Sequence, residues 1–407
     1  MTPTSLQVTV DRDPERTARA LGARLAARYP ERAAGLRVHP PSPVVGAGSA
    51  NETLVARVDG LDGDGPTSVV VRVVVPASQV FPGTSVARQA AALRHVAAHC
   101  DVPVPAVLDV DPDGEALGAP MMILERLPGR APLDFPSWAV EGFVADMTAA
   151  DRRALWSSAL DVLARLAAVD VTGLVLPGLP GVDGDVVGER VEYLRRYRDV
   201  TLADAPPDPL VDDALAVLAD TAPAHPPPGL SWGDARLGNM LFAGTRVSAV
   251  LDWEIVTVAG PLFDLAWWRM FDHVHVEDLA GARPEGIGDP AETAAAWSTR
   301  TGLGLDDLPW HELYVHLHLA MVRHRAFADR AAMGRPVPGP DDPRHVDRLL
   351  ERVRRLLDDR SADRIVGPPA TTASPPRSVR DGPRRVPGDR RDEAGVFAVD
   401  PGPTEER

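Results

Sequence analysis

At 407 residues the chain is long enough for two or three domains or one large two-lobed one. With 44% apolar and 25% charged residues it is a globular protein that buries a real core. A net charge of −15 argues against a nucleic-acid or anionic-membrane partner, because binding phosphate backbones needs a basic face.

One cysteine, Cys100, excludes an internal disulfide framework and a cysteine metal cluster. All 43 basic residues are arginine, so any step that elsewhere uses lysine falls to arginine here. The first sixteen residues carry Asp11, Asp13 and Glu15 and no basic-then-apolar leader. The longest apolar runs, such as 69–75, are too short to span a bilayer. A cytoplasmic protein is expected.

In chain order, Asp13-Pro14 followed by Ala18, Leu21 and Leu25 predicts an opening amphipathic helix with Pro14 near its first turn. Residues 42–58 and 67–75 read as two strands, joined by the acidic turn Gly60-Leu-Asp-Gly-Asp-Gly65. A helix is predicted over 85–99, with Leu93 and Val96 on its apolar face. Strands follow near 106–110 and 120–125. Beyond Pro128-Gly129 the pattern turns helical: 151–169, 189–200 and 212–219. Residues 230–258 return to short strands and loops. Helices are predicted again over 264–271, 310–330 and 343–358.

From Ser361 onward the chain is rich in Pro, Gly, Arg and Asp and poor in apolar residues, and is expected to be disordered. The expected divisions are a helical segment over 1–35, a nucleotide-binding lobe over 36–127, a catalytic and acceptor-binding lobe over 128–360, and a tail over 361–407. A cleft between a strand-rich block and a helical block is where a ligand is expected.

The strongest chemical signal is Leu230-Ser-Trp-Gly-Asp-Ala-Arg-Leu-Gly-Asn-Met-Leu-Phe242, with Asp252 thirteen residues after Asn239 in Leu251-Asp-Trp-Glu254. Phosphoryl transfer needs such a set. One carboxylate orients the attacking hydroxyl, while a second carboxylate and an amide oxygen suit Mg²⁺, a hard cation that takes few protein ligands. An Asp-x₄-Asn followed by a metal-binding Asp is the kinase pattern.

These segments, with Gly260-Pro-Leu-Phe-Asp-Leu-Ala266, closely resemble the aminoglycoside-phosphotransferase-like (choline-kinase-like) small-molecule kinases. They resemble above all the branch that includes kinase domains fused to some acyl-CoA dehydrogenases. The likeness extends over roughly residues 40–330. It implies an α+β, two-lobed protein-kinase-like fold, with a small antiparallel-sheet N-lobe and a larger, mainly helical C-lobe. It implies transfer of the γ-phosphoryl of ATP or GTP to a hydroxyl of a small acceptor: aminoglycoside-like, a hydroxyacyl-CoA or another alcohol. Asp234 would be the catalytic base, Asn239 and Asp252 the Mg²⁺ ligands, and Asp264 a brace for the catalytic loop. Read from sequence alone, Asp264 is also placed as an N-cap before an apolar helical run.

Further residues complete the expected site. Gly46, Gly48 and Ser49 form a loop whose backbone N–H groups can cradle phosphates. Arg72, alone among valines, stands where kinases place a phosphate-binding lysine, and its fork can grip phosphate. Backbone groups near Glu125 and Leu127 are expected to meet an adenine.

Three departures from the family pattern stand out. Gln89 occupies the place of the glutamate that usually pairs with the strand cation, and an amide forms no ion pair. Trp232 stands where many relatives have His. Ala259-Gly260-Pro261 stands where relatives often have Gly-Asp-Pro. Gln89 favours the competing reading, a weak or inactive kinase-like regulator.

His311, His316, His318 and His324 fall at steps of five, two and six, which puts no i, i+4 pair on one helical face and argues against zinc. Trp267, Trp268, Trp310 and Tyr314 are expected to pack in the core rather than wall a pocket. The acidic balance alone suits a cationic acceptor.

Overall fold

The fold is that of a computed structural model. It describes residues 12–44, 51–61, 67–75, 81, 83–181, 183–202, 208–224, 226–332, 334–339 and 341–365. The chain divides into Met1–Ala362 and Asp363–Arg407. The second unit is described only at 363–365, and all that follows lies in the first.

Helix α1 (Pro14–Arg28) opens at Asp13, whose carboxylate accepts the N–H groups of Glu15 and Arg16. Strands β1 (Arg37–Val38), β2 (Ser42–Pro43), β3 (Asn51–Asp59), β4 (Thr67–Val74), β5 (Val107–Asp111) and β6 (Met121–Glu125) form one antiparallel sheet. Its order is β1-β3-β4-β6-β5, with β2 also on β3. The residues of the expected acidic turn at 62–66 lie outside the described residues.

Alternation along β4 decides where its charge goes. Val69, Val71 and Val73 are buried with Leu21 and Leu25 of α1. Side chains alternate between sheet faces, so Val70, Arg72 and Val74 face the other way, and Val70 and Val74 pack on the main core. Arg72 is thereby aimed at the helical part of the molecule. On that side α2 (Val86–His99), capped by the Ser85 hydroxyl, packs on β5 and β6 and buries Leu93 and Val96.

The helical part comprises α3 (Ala149–Ala167), α4 (Val186–Thr201), α5 (Pro209–Asp220), α6 (Leu262–Asp272), α7 (Pro290–Thr301), α8 (Leu308–Ala332) and α9 (Val346–Ile365). A π-helical turn, His273–Asp278, follows α6. The hairpin β7 (Met240–Ala243) and β8 (Arg246–Val250) lies against α3.

Two sequence expectations are corrected. Helix α9 continues to Ile365, so 361–365 are helical rather than the start of an irregular tail. The segment 290–301 forms a helix that the sequence reading did not place, although Asp289-Pro290 repeats the cap signal of Asp13-Pro14.

Candidate active site

The segment 231–239 is shaped by three anchors. Ser231 pairs with Thr257 through two backbone hydrogen bonds of 2.9 Å. The buried carboxylate of Asp264 accepts the Ser231 hydroxyl at 3.0 Å and the N–H groups of Trp232 and Gly233 at 2.8 Å each. Asp264 therefore braces this loop from the first turn of α6. It is not that helix's N-cap, which is Pro261. The Trp232 indole donates to the carbonyls of Leu251, at 2.8 Å, and Asp252, at 3.1 Å. This donor-only ring ties the loop to the segment that carries Asp252. Gly233 has φ +76, and a Cβ there would come within 2.5 Å of Ile255, so the turn needs glycine.

The hairpin converts sequence spacing into proximity. Met240 pairs with Val250, and the Leu251 N–H donates to the Asn239 carbonyl at 2.8 Å. Asn239 and Asp252 thus emerge from adjacent strand ends. The Asn239 amide N–H₂ donates to the Asp234 carboxylate at 2.6 Å and to its carbonyl at 3.0 Å, which turns its own carbonyl oxygen outward as a donor to a cation. Among the described residues, Asp234 (φ 45) and Asp252 (φ 60) are the two non-glycine residues with positive φ. Such strain survives only where surrounding contacts enforce it, and it concentrates at functional sites.

Arg72 reaches this group from β4. Its Nη2 donates to Asp252 at 3.0 Å and to Glu254 at 2.7 Å. Glu254 also accepts the Asn51 side-chain amide. Arg236 lies 3.3 Å from both Asp234 oxygens and pairs with Asp134. Arg236, Glu254, Asn51 and Asp134 were not singled out from sequence. The signal for Glu254 and Arg236 was their place inside the two motifs; Asn51 and Asp134 carry none.

Burial raises the Asp234 carboxyl to about 6; the neighbouring Asp252 and Asp134 push the same way, while Arg236 and Asn239 oppose. Burial and Asp252 likewise hold Glu254 well above the ordinary range against the pull of Arg72. Four carboxylates here face two guanidiniums (Arg72 and Arg236), a surplus of two negative charges that matches a divalent cation. Hard oxygen donors from Asn239 and Asp252 fit Mg²⁺. Among the described residues no three His, Cys, Asp or Glu side chains converge as a ready-made metal cage. That suits a cation that keeps most of its own waters.

Other expected residues fall as follows. Gly46, Gly48 and Ser49 lie outside the described residues. Gln89 is buried, but its carbonyl oxygen has no partner, and Arg72 takes its carboxylates from Asp252 and Glu254 instead. Glu125 ends β6 with its N–H already donated to the Ala106 carbonyl. Its side chain is exposed, and Leu127 lies two residues further on. Trp268 and Trp310 are core residues, whereas Trp267 and Tyr314, though buried, also line a cavity of ≈ 270 Å³ beside Gly233 and Glu254. No helix among the described residues is long and apolar enough to cross a membrane.

The sequence profile of the APH phosphotransferase enzyme family matches residues 46–297. Acyl-CoA dehydrogenase family member 10 of Mus musculus is 29% identical over 199 residues, 47% of this chain and 17% of that protein. Acyl-CoA dehydrogenase family member 11 of Homo sapiens is 28% identical over 177 residues, 42% of this chain and 21% of that protein. The chain spans about a fifth of the length of these curated relatives.

Among solved structures, a candidate aminoglycoside phosphotransferase of Ralstonia eutropha JMP134 superposes with a TM-score of 0.60 at 21% identity. The match covers 83% of this chain and 95% of that one. A thermostable mutant of aminoglycoside phosphotransferase APH(4)-Ia, in ternary complex with ADP and hygromycin B, gives a TM-score of 0.52 at 16% identity over 83% of this chain and 98% of that one. At these identities the likeness is one of fold. Fold and profile agree: the chain belongs to the phosphotransferase enzyme family.

Proposed function

We propose that the protein is a small-molecule kinase that transfers the γ-phosphoryl group of ATP, or GTP, to a hydroxyl of a small acceptor. One observation carries this reading. The left-handed residues Asp234 and Asp252 are held by Asn239 and Trp232 in one acidic cluster with a charge surplus that a hydrated divalent cation answers. A structural turn has no need of such an arrangement.

In this reading Asp234 receives the acceptor's proton as the acceptor oxygen forms its bond to the γ-phosphorus and the bond to the β-phosphate oxygen breaks, releasing the nucleoside diphosphate. A carboxyl near 6 is poised for that role at neutral pH. Asn239 and Asp252 would hold Mg²⁺, which bridges the nucleotide phosphates and neutralises developing charge. Arg72 would turn from its carboxylates toward phosphate, with Gly46, Gly48 and Ser49 above it and backbone groups near Glu125 and Leu127 at the base. Gln89, Trp232 and Asp264 support the site without touching reactants. Catalysis is then positioning and electrostatics.

The test is nucleotide consumption over a panel of hydroxyl compounds, beside melting curves with nucleotide and Mg²⁺. Asp234→Ala should abolish turnover and keep nucleotide-dependent stabilisation. Asp252→Ala should lose the metal-dependent part of that stabilisation. Equal turnover by wild type and Asp234→Ala refutes the assignment. The inactive-regulator reading rests on Gln89, and it predicts stabilisation without turnover on any acceptor. Arg72 keeps two carboxylate partners without a glutamate on α2, which favours the enzyme.

A further inference from the structure

The cavity beside the loop that bears Asp234 has a chemistry of its own. It is lined by Ser231, Gly233 and Glu254 on the catalytic side and by Arg88, Arg190 and Arg196 on the other. Its carboxylates are already taken. Glu254 accepts from Arg72 and Asn51, and Glu189 is held by both Arg190 and Arg196. The guanidiniums are left in excess. Arg88 spends its Nε on the Pro177 carbonyl at 2.9 Å and has no carboxylate partner. Burial, and then repulsion from Arg190, lowers its affinity for its own proton. Two like charges across a cavity call for an anion between them.

The walls are aromatic. His318 is buried and ringed by Phe81, Tyr193, Tyr197, Trp267 and Tyr314 at centroid distances of 5.3–5.9 Å. Burial holds its imidazole neutral, and neither ring nitrogen has a partner. The Tyr193 hydroxyl is also buried without a partner. A buried polar atom left unpaired in a lined cavity is costly unless a ligand satisfies it. Aromatic walls could in principle hold a cation, but the arginine excess decides against one.

We infer that this cavity is the acceptor site and that the acceptor is an anion. Its carboxylate or phosphate head lies between Arg88 and Arg190, its apolar body lies against the aromatic wall, and a polar group meets Tyr193 and His318. The assignment as acceptor site rests on the phosphotransfer reading; the preference for anions does not. It reverses what the acidic composition of the chain suits. At ≈ 270 Å³ the space takes a small hydroxy acid or a phosphate ester rather than an oligosaccharide.

The experiment is calorimetric titration of the full chain without nucleotide. The probes are 3-phenyllactate and glycerol 3-phosphate, as carboxylate and phosphate arms. Their neutral and cationic counterparts are 3-phenyllactamide and 2-amino-1-phenylethanol. At least one anion should bind and both counterparts should not. Arg88→Gln and Arg190→Gln should each weaken anion binding by about tenfold or more, the loss of a charge-assisted hydrogen bond. Melting curves verify that each variant is folded, and Arg88→Gln stands alone if Arg190→Gln is not. Equal binding of the amine or amide, binding of neither anion, or wild-type affinity in folded Arg88→Gln overturns the inference.

Nucleotide hydrolysis with water as acceptor, lost in Asp234→Asn, reports separately on phosphotransfer. Hydrolysis without anion binding refutes the anionic acceptor alone. Anion binding with no nucleotide turnover on any compound refutes the acceptor role together with the phosphotransfer reading.

Discussion

Arg72 of β4 and Glu254 beyond the β7–β8 hairpin lie 2.7 Å apart, 182 residues distant in sequence. Family likeness places the partner of this strand cation on the helix after it, at Gln89. The structure supplies two carboxylates from the other side instead, Asp252 and Glu254. The ion pair that ties the sheet to the helical part thus runs through the candidate cation ligand itself.

Removing Arg72 should therefore cost more than one contact. Arg72→Met leaves Asp252 and Glu254 in mutual repulsion at a largely buried site. Stability should fall by about 3 kcal/mol, as for one partner lost from a buried pair. Adding Glu254→Gln removes the repulsion and should recover about 1 kcal/mol or more of that loss. Urea melts of the two single variants and the double variant check this. Strict additivity would mean that the pair is not coupled.

Gln89→Glu restores the family's usual residue in a setting that has changed. The position is buried, and Arg72 is already taken. A new carboxylate there is held neutral at low pH and penalised once ionised. The variant should match wild type near pH 4 and lose stability progressively as pH rises past the ordinary carboxylate value of ~4.3. A variant that instead gains stability and turnover at pH 8 would show that Arg72 can be recaptured by α2.

The elements legible in the sequence are those whose periodicity was undisturbed. α3, with Leu155, Leu163 and Leu166 buried on one face, falls within two residues of its expected ends. α7 was hidden by the Pro- and Gly-rich run before it, where only the Asp289 cap gave a signal. The grouping of Asp234, Asn239 and Asp252 could be read because a hairpin of fixed register joins them. The contacts of Arg72 with Glu254 and of Arg236 with Asp134 could not, because side-chain pairing over 182 and 102 residues leaves no local trace. The anionic preference of the cavity was also invisible. Arg88 and Arg190 come from separate helices, and net charge averages them away.

Trp232 makes a sharper test of loop positioning. Its indole N–H bridges two carbonyls that precede and include Asp252. Trp232→Phe keeps most of the packing in a fully buried site and removes the donor. It should cost about 1–3 kcal/mol, the penalty for leaving carbonyls unpaired, and should lower kcat more than it raises KM for nucleotide. Trp232→His, with a ring N–H again available, should recover part of kcat. An unchanged kcat in Trp232→Phe would remove the indole from the positioning role.

Asp264 gives a pH-dependent prediction whose sign can be worked out. Burial raises its carboxyl to about 6, with the donors Gly233, Trp232 and Ser231 opposing. A raised value means that the folded state holds the proton more tightly than the unfolded chain. The resulting stability is complete below about pH 4 and is lost as pH rises through about 6. Asp264→Asn has no such titration, though its amide places an N–H₂ against backbone donors and lowers stability at every pH. The gap between wild type and Asp264→Asn should therefore shrink by about 3 kcal/mol from pH 4 to pH 7, two units at about 1.4 kcal/mol each. Thermal melts across that range read it directly. A gap that widens with pH would mean that the three donors outweigh burial and hold this carboxylate ionised, making it an anionic anchor for the catalytic loop at all working pH values.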